Sequence, residues 1–166
     1  MKKIFALVLV AFALQSCVED VQFNDKSVFQ CVKDNEAWKG GDAEATILGA
    51  TITLKAVKLN ESMTLVVPKP TTLIDPNFPG TFVTYTFGTS NASNAIYRYK
   101  INAIETIFNT GIAGANGKIE ITEYDGEYVS GNFYFNAVNT SATSDEPEMV
   151  NVQGGYIYKV KIIDGL

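Results

Sequence analysis

From Ser27 onward, apolar residues in this chain recur every second position, and no stretch shows the 3.6-residue spacing of an amphipathic helix. That period restricts the fold to strands that bury one face and leave the other to water. The clearest case runs from Lys118 to Ala137. Ile119 and Ile121 alternate with Lys118, Glu120 and Thr122, and Asp125-Gly126 supplies a hairpin signal. The return strand then places Val129, Gly131, Phe133, Phe135 and Ala137 on one face, with Tyr128, Ser130, Asn132, Tyr134 and Asn136 on the other. A second hairpin is predicted from Met149–Gln153 through Gly154-Gly155 to Tyr156–Ile163. Further strands are predicted at Val28–Val32, Ala45–Leu48, Thr51–Leu59, Met63–Val67, Thr81–Phe87, Ile96–Ile101 and Ile104–Phe108. Turn residues separate them at Lys33–Asn35, Gly40–Asp42, Pro68–Gly80 and Gly111–Gly117. The expected fold is all-β: a single antiparallel β-sandwich or meander barrel of about eight to ten strands over residues 27–166.

The N-terminus obeys different rules. Met1-Lys2-Lys3 precedes an unbroken apolar run from Ile4 to Leu14, then Gln15-Ser16-Cys17. The run is too short to span a bilayer, which takes about 20 apolar residues, and it matches the h-region of a signal peptide. Leu14-Gln15-Ser16-Cys17 resembles the lipobox of bacterial lipoproteins. The resemblance implies removal of residues 1–16 and acylation of Cys17, with residues 17–26 as an acidic tether. Glu19-Asp20 resembles the surface-export signal of Bacteroidetes-type lipoproteins, which implies a lipid-anchored domain on the outer face of the outer membrane, with its periplasmic face as the alternative. Acylation of Cys17 would leave Cys31 without a disulfide partner, and its place in an apolar alternation makes it a buried small hydrophobe.

Several function classes are disfavoured by what the chain lacks. A net charge of −5 gives no basic surface for phosphates, so nucleic acid is not an expected partner. With no His at all, Ser-His-Asp and Cys-His catalysis is excluded, and no G-x-S-x-G elbow is present. The carboxylates Glu120, Glu123, Asp125 and Glu127 could serve only a carboxylate-dependent hydrolase, the least favoured reading, because a strand and a turn supply no burial to part their pKa values. No catalytic residue and no cofactor are expected. Asp145, Glu146 and Glu148 form a weak calcium candidate that lacks a metal-loop spacing and reads better as a solvated loop. The tyrosines carry more information. Tyr85, Tyr97, Tyr99, Tyr128 and Tyr134 fall at even spacings along strands, where a flat apolar ring with a polar tip suits ligand contact as well as cross-strand packing. Trp38, the sole Trp, follows a turn and is expected to plug one end of the sheet.

Gly117-Lys118-Ile119-Glu120-Ile121-Thr122, Tyr124-Asp125 and Val129-Ser130-Gly131-Asn132-Phe133-Tyr134-Phe135 together resemble the C-terminal signature of an uncharacterised Bacteroidetes lipoprotein family. Gly80-Thr81-Phe82, Gly155-Tyr156 and Asn35-Glu36-Ala37-Trp38 match its other elements, so the likeness spans most of residues 27–163. It implies a location and a fold type but no activity. The expected function is a membrane-anchored, non-catalytic binding or structural module of the envelope, its partner a glycan or an envelope protein. The alternative is a lipocalin-like carrier of a small apolar ligand within a closed barrel.

Overall fold

The computed structural model describes residues 27–89, 91–141 and 147–164; the expected signal peptide (1–16), Cys17, the expected tether (17–26), Asp145 and Glu146 lie outside them. Within the described residues, ten strands form one sheet: β1 (Val28–Lys33), β2 (Glu36–Leu48), β3 (Thr51–Lys58), β4 (Glu61–Pro68), β5 (Val83–Phe87), β6 (Asn94–Ile101), β7 (Ile104–Asn109), β8 (Asn116–Tyr124), β9 (Tyr128–Asn139) and β10 (Met149–Asp164). The described helical structure is a single 3-10 turn, Pro79–Thr81. The all-β expectation holds.

The pairings run from β9 through β10, β1, β2, β3, β4, β6 and β7 and back to β9, so the sheet closes on itself as a barrel. The closing seam is narrow among the described residues: Phe108↔Asn139 and Asn109↔Val138 pair, and the Thr140 N–H extends it by donating to the Ile107 carbonyl at 2.7 Å. Along the rest of that edge β9 pairs with β8, and β8 carries β5 as an outer flap. The order is therefore not a plain meander: β4 pairs with β6, and the end of β10 runs parallel to β2 at Ile162–Asp164.

Two predicted turns are bulges instead. Gly154-Gly155 does not fold Tyr156–Ile163 back on Met149–Gln153, because both halves of β10 pair with the same strand, Asn151↔Asn136 before the glycines and Tyr156↔Asn132 after them. The register shifts between Val152 and Gly155, and Gly154 sits at φ +55°. Gly155 lies against the Phe133 ring, 2.6 Å from where a Cβ would stand, so only glycine lets the ring cover the strand there. Gly40–Asp42 likewise lies inside β2, where the register shifts between Gly41 and Glu44 and Asp42 has φ +46°. Both misreadings share a cause: glycine marks a bulge as readily as a turn.

The inward faces fill the barrel. Phe29 packs edge-on to Trp38 and tilted against Phe133, with centroids 5.9 and 5.2 Å away, and Ile52, Leu54, Met63, Leu65 and Phe135 are fully buried around them. The alternation predicted for β9 is observed with one exception: Val129, Gly131, Phe133, Phe135 and Ala137 are buried, but Ser130, expected on the polar face, is buried too, its hydroxyl donating to Glu123 and accepting the Lys159 N–H. A carrier keeps its interior open, whereas here side chains occupy that space.

Three two-residue hairpins gather at one end of the barrel: Asp34-Asn35 closes Lys33↔Glu36, Leu59-Asn60 closes Lys58↔Glu61, and Asn102-Ala103 closes Ile101↔Ile104. Both residues of the first and third turns have positive φ, the conformation that matches the twist of a tight hairpin. The last residues of β9 and the first of β10 lie at the same end, where the Asn139 N–H donates to the Glu148 carbonyl and the Asp34 N–H to the Asn151 carbonyl. The chain arrives from the other end, at Val28.

Candidate functional site

The turn end holds a cleft of about 290 Å³ whose walls include Lys33, Asp34, Glu61, Tyr97, Tyr99 and Phe108. Strand alternation places these side chains. Lys33 follows Phe29 and Cys31 on the inner face of β1, Glu61 precedes Met63 and Leu65 on β4, and Tyr99 follows Ala95 and Tyr97 on β6. The inner face that is apolar in the barrel centre thus becomes polar and aromatic one residue pair before the turns. The result is a shallow cup with a floor of rings.

Glu61 organises it. Trp38 donates its indole N–H to Glu61 Oε2 at 2.7 Å, and the Tyr97 hydroxyl donates to the same oxygen at 2.8 Å. Both donors are buried, Trp38 being 1% and Tyr97 3% exposed, so the carboxylate supplies the acceptor that each needs. Trp38 plugs this end of the barrel, as its place after a turn predicts, and spacing along its own strand gives no sign of the bond to Glu61. Burial, followed by the hydrogen bond to Glu61 and that group's charge, holds the Tyr97 phenol well above its ordinary range. The Lys33 ammonium stands 5.3 Å above the centre of the Tyr97 ring and pairs with Asp34 at 3.3 Å. Asp34 in turn accepts the Asn151 backbone N–H at 2.9 Å, pinning the first hairpin to β10. Asn60 Nδ2 donates to the Lys100 carbonyl at 2.7 Å and fixes the second hairpin to β6. Among the described residues the ion pairs are Lys33–Asp34 and Arg98–Glu105, so no described cation pairs directly with Glu61. Tyr99 stacks on Phe108 with centroids 6.2 Å apart and planes at 28°, leaving a half-buried ring at the cup wall.

Cys31 lies beneath this floor, 5% exposed. Burial pushes its thiol up to about 12, against a smaller opposing pull from Lys33. The thiol is therefore a packed hydrophobe, as the sequence suggests, and a poor nucleophile. It is expected to resist iodoacetamide at pH 8 in the native chain and to react fully in denaturant, as read by mass spectrometry. The same shift sets a pH dependence. A thiol that ionises near 9 when unfolded and near 12 when folded leaves the unfolded state holding fewer protons across that window. Stability should be level below pH 9 and fall as pH rises towards 12, with Tyr97 adding in the same direction. Urea midpoints at pH 8 and 10.5 test this, and Cys31→Val should flatten the fall.

The five tyrosines singled out above do not form one site. Tyr97 and Tyr99 share the cup, with centroids 6.1 Å apart. Tyr134, 44% exposed, stands on the outer face of β9 with Lys118 Nζ 5.9 Å from its ring centre, beside a separate cleft of about 340 Å³. Tyr85 lies on the inner face of β5, partly buried against the core, and Tyr128 is half-buried at the far end of β9. Of the calcium candidates only Glu148 is described; its carbonyl accepts the Asn139 N–H, and its side chain is exposed. No group of three or more acidic, Cys or His side chains able to hold a metal occurs among the described residues. Glu120 lies on β8 and Glu123 accepts the Ser130 hydroxyl at 2.7 Å, while Asp125 caps the β8–β9 turn by accepting the N–H groups of Glu127 and Tyr128.

Comparison with protein families gives a match over residues 25–161 to a domain of unknown function, DUF6252. Curated proteins and solved structures give no significant match.

Proposed function

Because the chain belongs to the DUF6252 family, whose function is unassigned, we propose from its own residues that it is a lipid-anchored lipoprotein of the outer membrane whose barrel acts as a non-catalytic binding module, with the cup as its ligand site. The observation that carries this reading is one of direction. β1 leads from Val28 at the arriving end to Lys33 in the cup wall, a rise of about 17 Å at strand geometry. A lipid on Cys17 would therefore hold the domain from the end opposite the cup and present the cup away from the bilayer. The acidic body adds to this by keeping the domain off anionic headgroups, which repel it. The site supports binding: of the two carboxylates in its walls, Glu61 is already engaged by two donors, and Asp34 pairs with Lys33 and accepts the Asn151 N–H.

Growth with a clickable palmitate analogue tests the anchor. The wild-type chain is expected to incorporate label and to have a mature N-terminus at residue 17, and Cys17→Ala should lose both. Protease added to whole cells should then digest the domain if it faces outward. An unlabelled wild-type chain would overturn the lipoprotein reading.

A further inference from the structure

We infer that the cup takes a single neutral sugar ring, seated on Tyr99 and hydrogen-bonded by Glu61 and Lys33; this rests on the binding-module reading above and names its ligand class. The charges select the class. Lys33 disfavours a cationic ligand, and Glu61 and Asp34 disfavour an anionic one, since all three line the same 290 Å³. A hydroxyl both donates and accepts, so a neutral polyol can meet an ammonium and a carboxylate in one cleft at the same time. Glu61 is prepared for that task. Its Oε2 is fixed by Trp38 and Tyr97, which orients the plane of the carboxylate and leaves Oε1 to accept from a ligand. Tyr99 offers the apolar half of the match, a half-buried ring braced from behind by the stacked and buried Phe108. Size sets the limit. The cleft lies at the lower bound of small-molecule pockets, roughly 300–1,000 Å³, so it holds one ring and not an acyl chain or a longer oligosaccharide. A glycan would therefore be gripped by a terminal residue, with the remainder in solvent.

The structure also supplies the reporter. Trp38 is the only tryptophan, and its indole N–H is bonded to the carboxylate in question, so one cross-peak in a ¹H–¹⁵N spectrum reads the state of Glu61. The full ¹⁵N-labelled chain, in a detergent without sugar headgroups, is titrated with methyl glycosides of common hexoses, with short oligosaccharides ending in the same sugars, with tetramethylammonium and with a sulfated monosaccharide. A saturable shift of the Trp38 indole peak is expected with at least one neutral glycoside. Tyr99→Ala and Glu61→Gln should each weaken it by about tenfold, the loss of one stacking or charge-assisted contact. Tyr99→Phe should retain it, and far-UV circular dichroism confirms the fold of each variant. Equal affinity for glycoside and oligosaccharide would mark a free sugar as sufficient, and tighter oligosaccharide binding a chain end; both support the assignment. A shift with tetramethylammonium or the sulfated sugar alone would overturn the ligand class while leaving the cup a binding site. No shift with any probe would overturn both.

Discussion

Gly131→Ala is expected to destabilise the domain by about 3 kcal/mol or more, at the upper end of the overpacking range. The reason is a contact between strands and not a turn. Gly131 lies buried in β9 between Ile121 of β8 and Ile157 of β10. A Cβ there would run into the Glu120 carbonyl oxygen and would meet the Glu120 carbonyl carbon and Ile121 Cα at 3.3 Å. All three atoms are backbone, so no side chain can rotate away, and relief requires β8 and β9 to separate. The β8–β9 register shifts just beyond, between Ile121 and Glu123, which is where the strands draw close. Thermal unfolding should show a drop of roughly 10 °C for a domain of this length. Gly80→Ala is the control. Nothing lies within 4 Å of its would-be Cβ and its φ is not positive, so it should be neutral within about 0.5 kcal/mol. Equal melting temperatures for the two variants would refute the close-approach account.

That glycine shows what a sequence can and cannot disclose. The period of two gave the strands and their faces, because alternation is a property of single residues: Val129, Phe133, Phe135 and Ala137 face inward as their spacing requires. It also pointed to Gly131, as one letter of a motif, without its cause. The cause is a carbonyl on a neighbouring strand, and spacing along one strand carries no information about the next. The same blindness turned the Gly154-Gly155 and Gly40–Asp42 bulges into turns, and gave a meander where β4 passes over β5 to pair with β6. The cup was half legible. Tyr97 and Tyr99 were picked for sharing a strand face, and they do line it. Glu61 lies in the three polar residues between the predicted strands Thr51–Leu59 and Met63–Val67, where nothing in its immediate neighbours marks it. Its importance comes from Trp38, 23 residues away in sequence, and Tyr97, 36 away, both of which need its oxygen. One signal was available: Glu61 continues the inward alternation of Met63, Leu65 and Val67 on β4, and a carboxylate on a core face calls for partners.

The dependence of those partners on Glu61 leads to a sign reversal. Glu61→Leu removes the acceptor shared by two buried donors and should cost about 2–5 kcal/mol, since each orphaned group carries a penalty of about 1–3 kcal/mol, eased where water in the cup can reach it. Tyr97→Phe alone, in the wild type, deletes a hydrogen bond to a charged acceptor and should cost about 1.5–3 kcal/mol. In the Glu61→Leu background the same substitution removes a hydroxyl that has lost its partner, so it should restore about 1 kcal/mol. The double variant is therefore expected to be more stable than Glu61→Leu, although each change on its own is harmful. A double-mutant cycle in urea, followed by far-UV circular dichroism, measures the coupling directly. If the two losses simply add, the Tyr97 hydroxyl finds other partners and Glu61 is an ordinary surface acid. If the sign reverses, the carboxylate is the keystone of the barrel's turn end, and the cup's geometry is held in place before any ligand arrives.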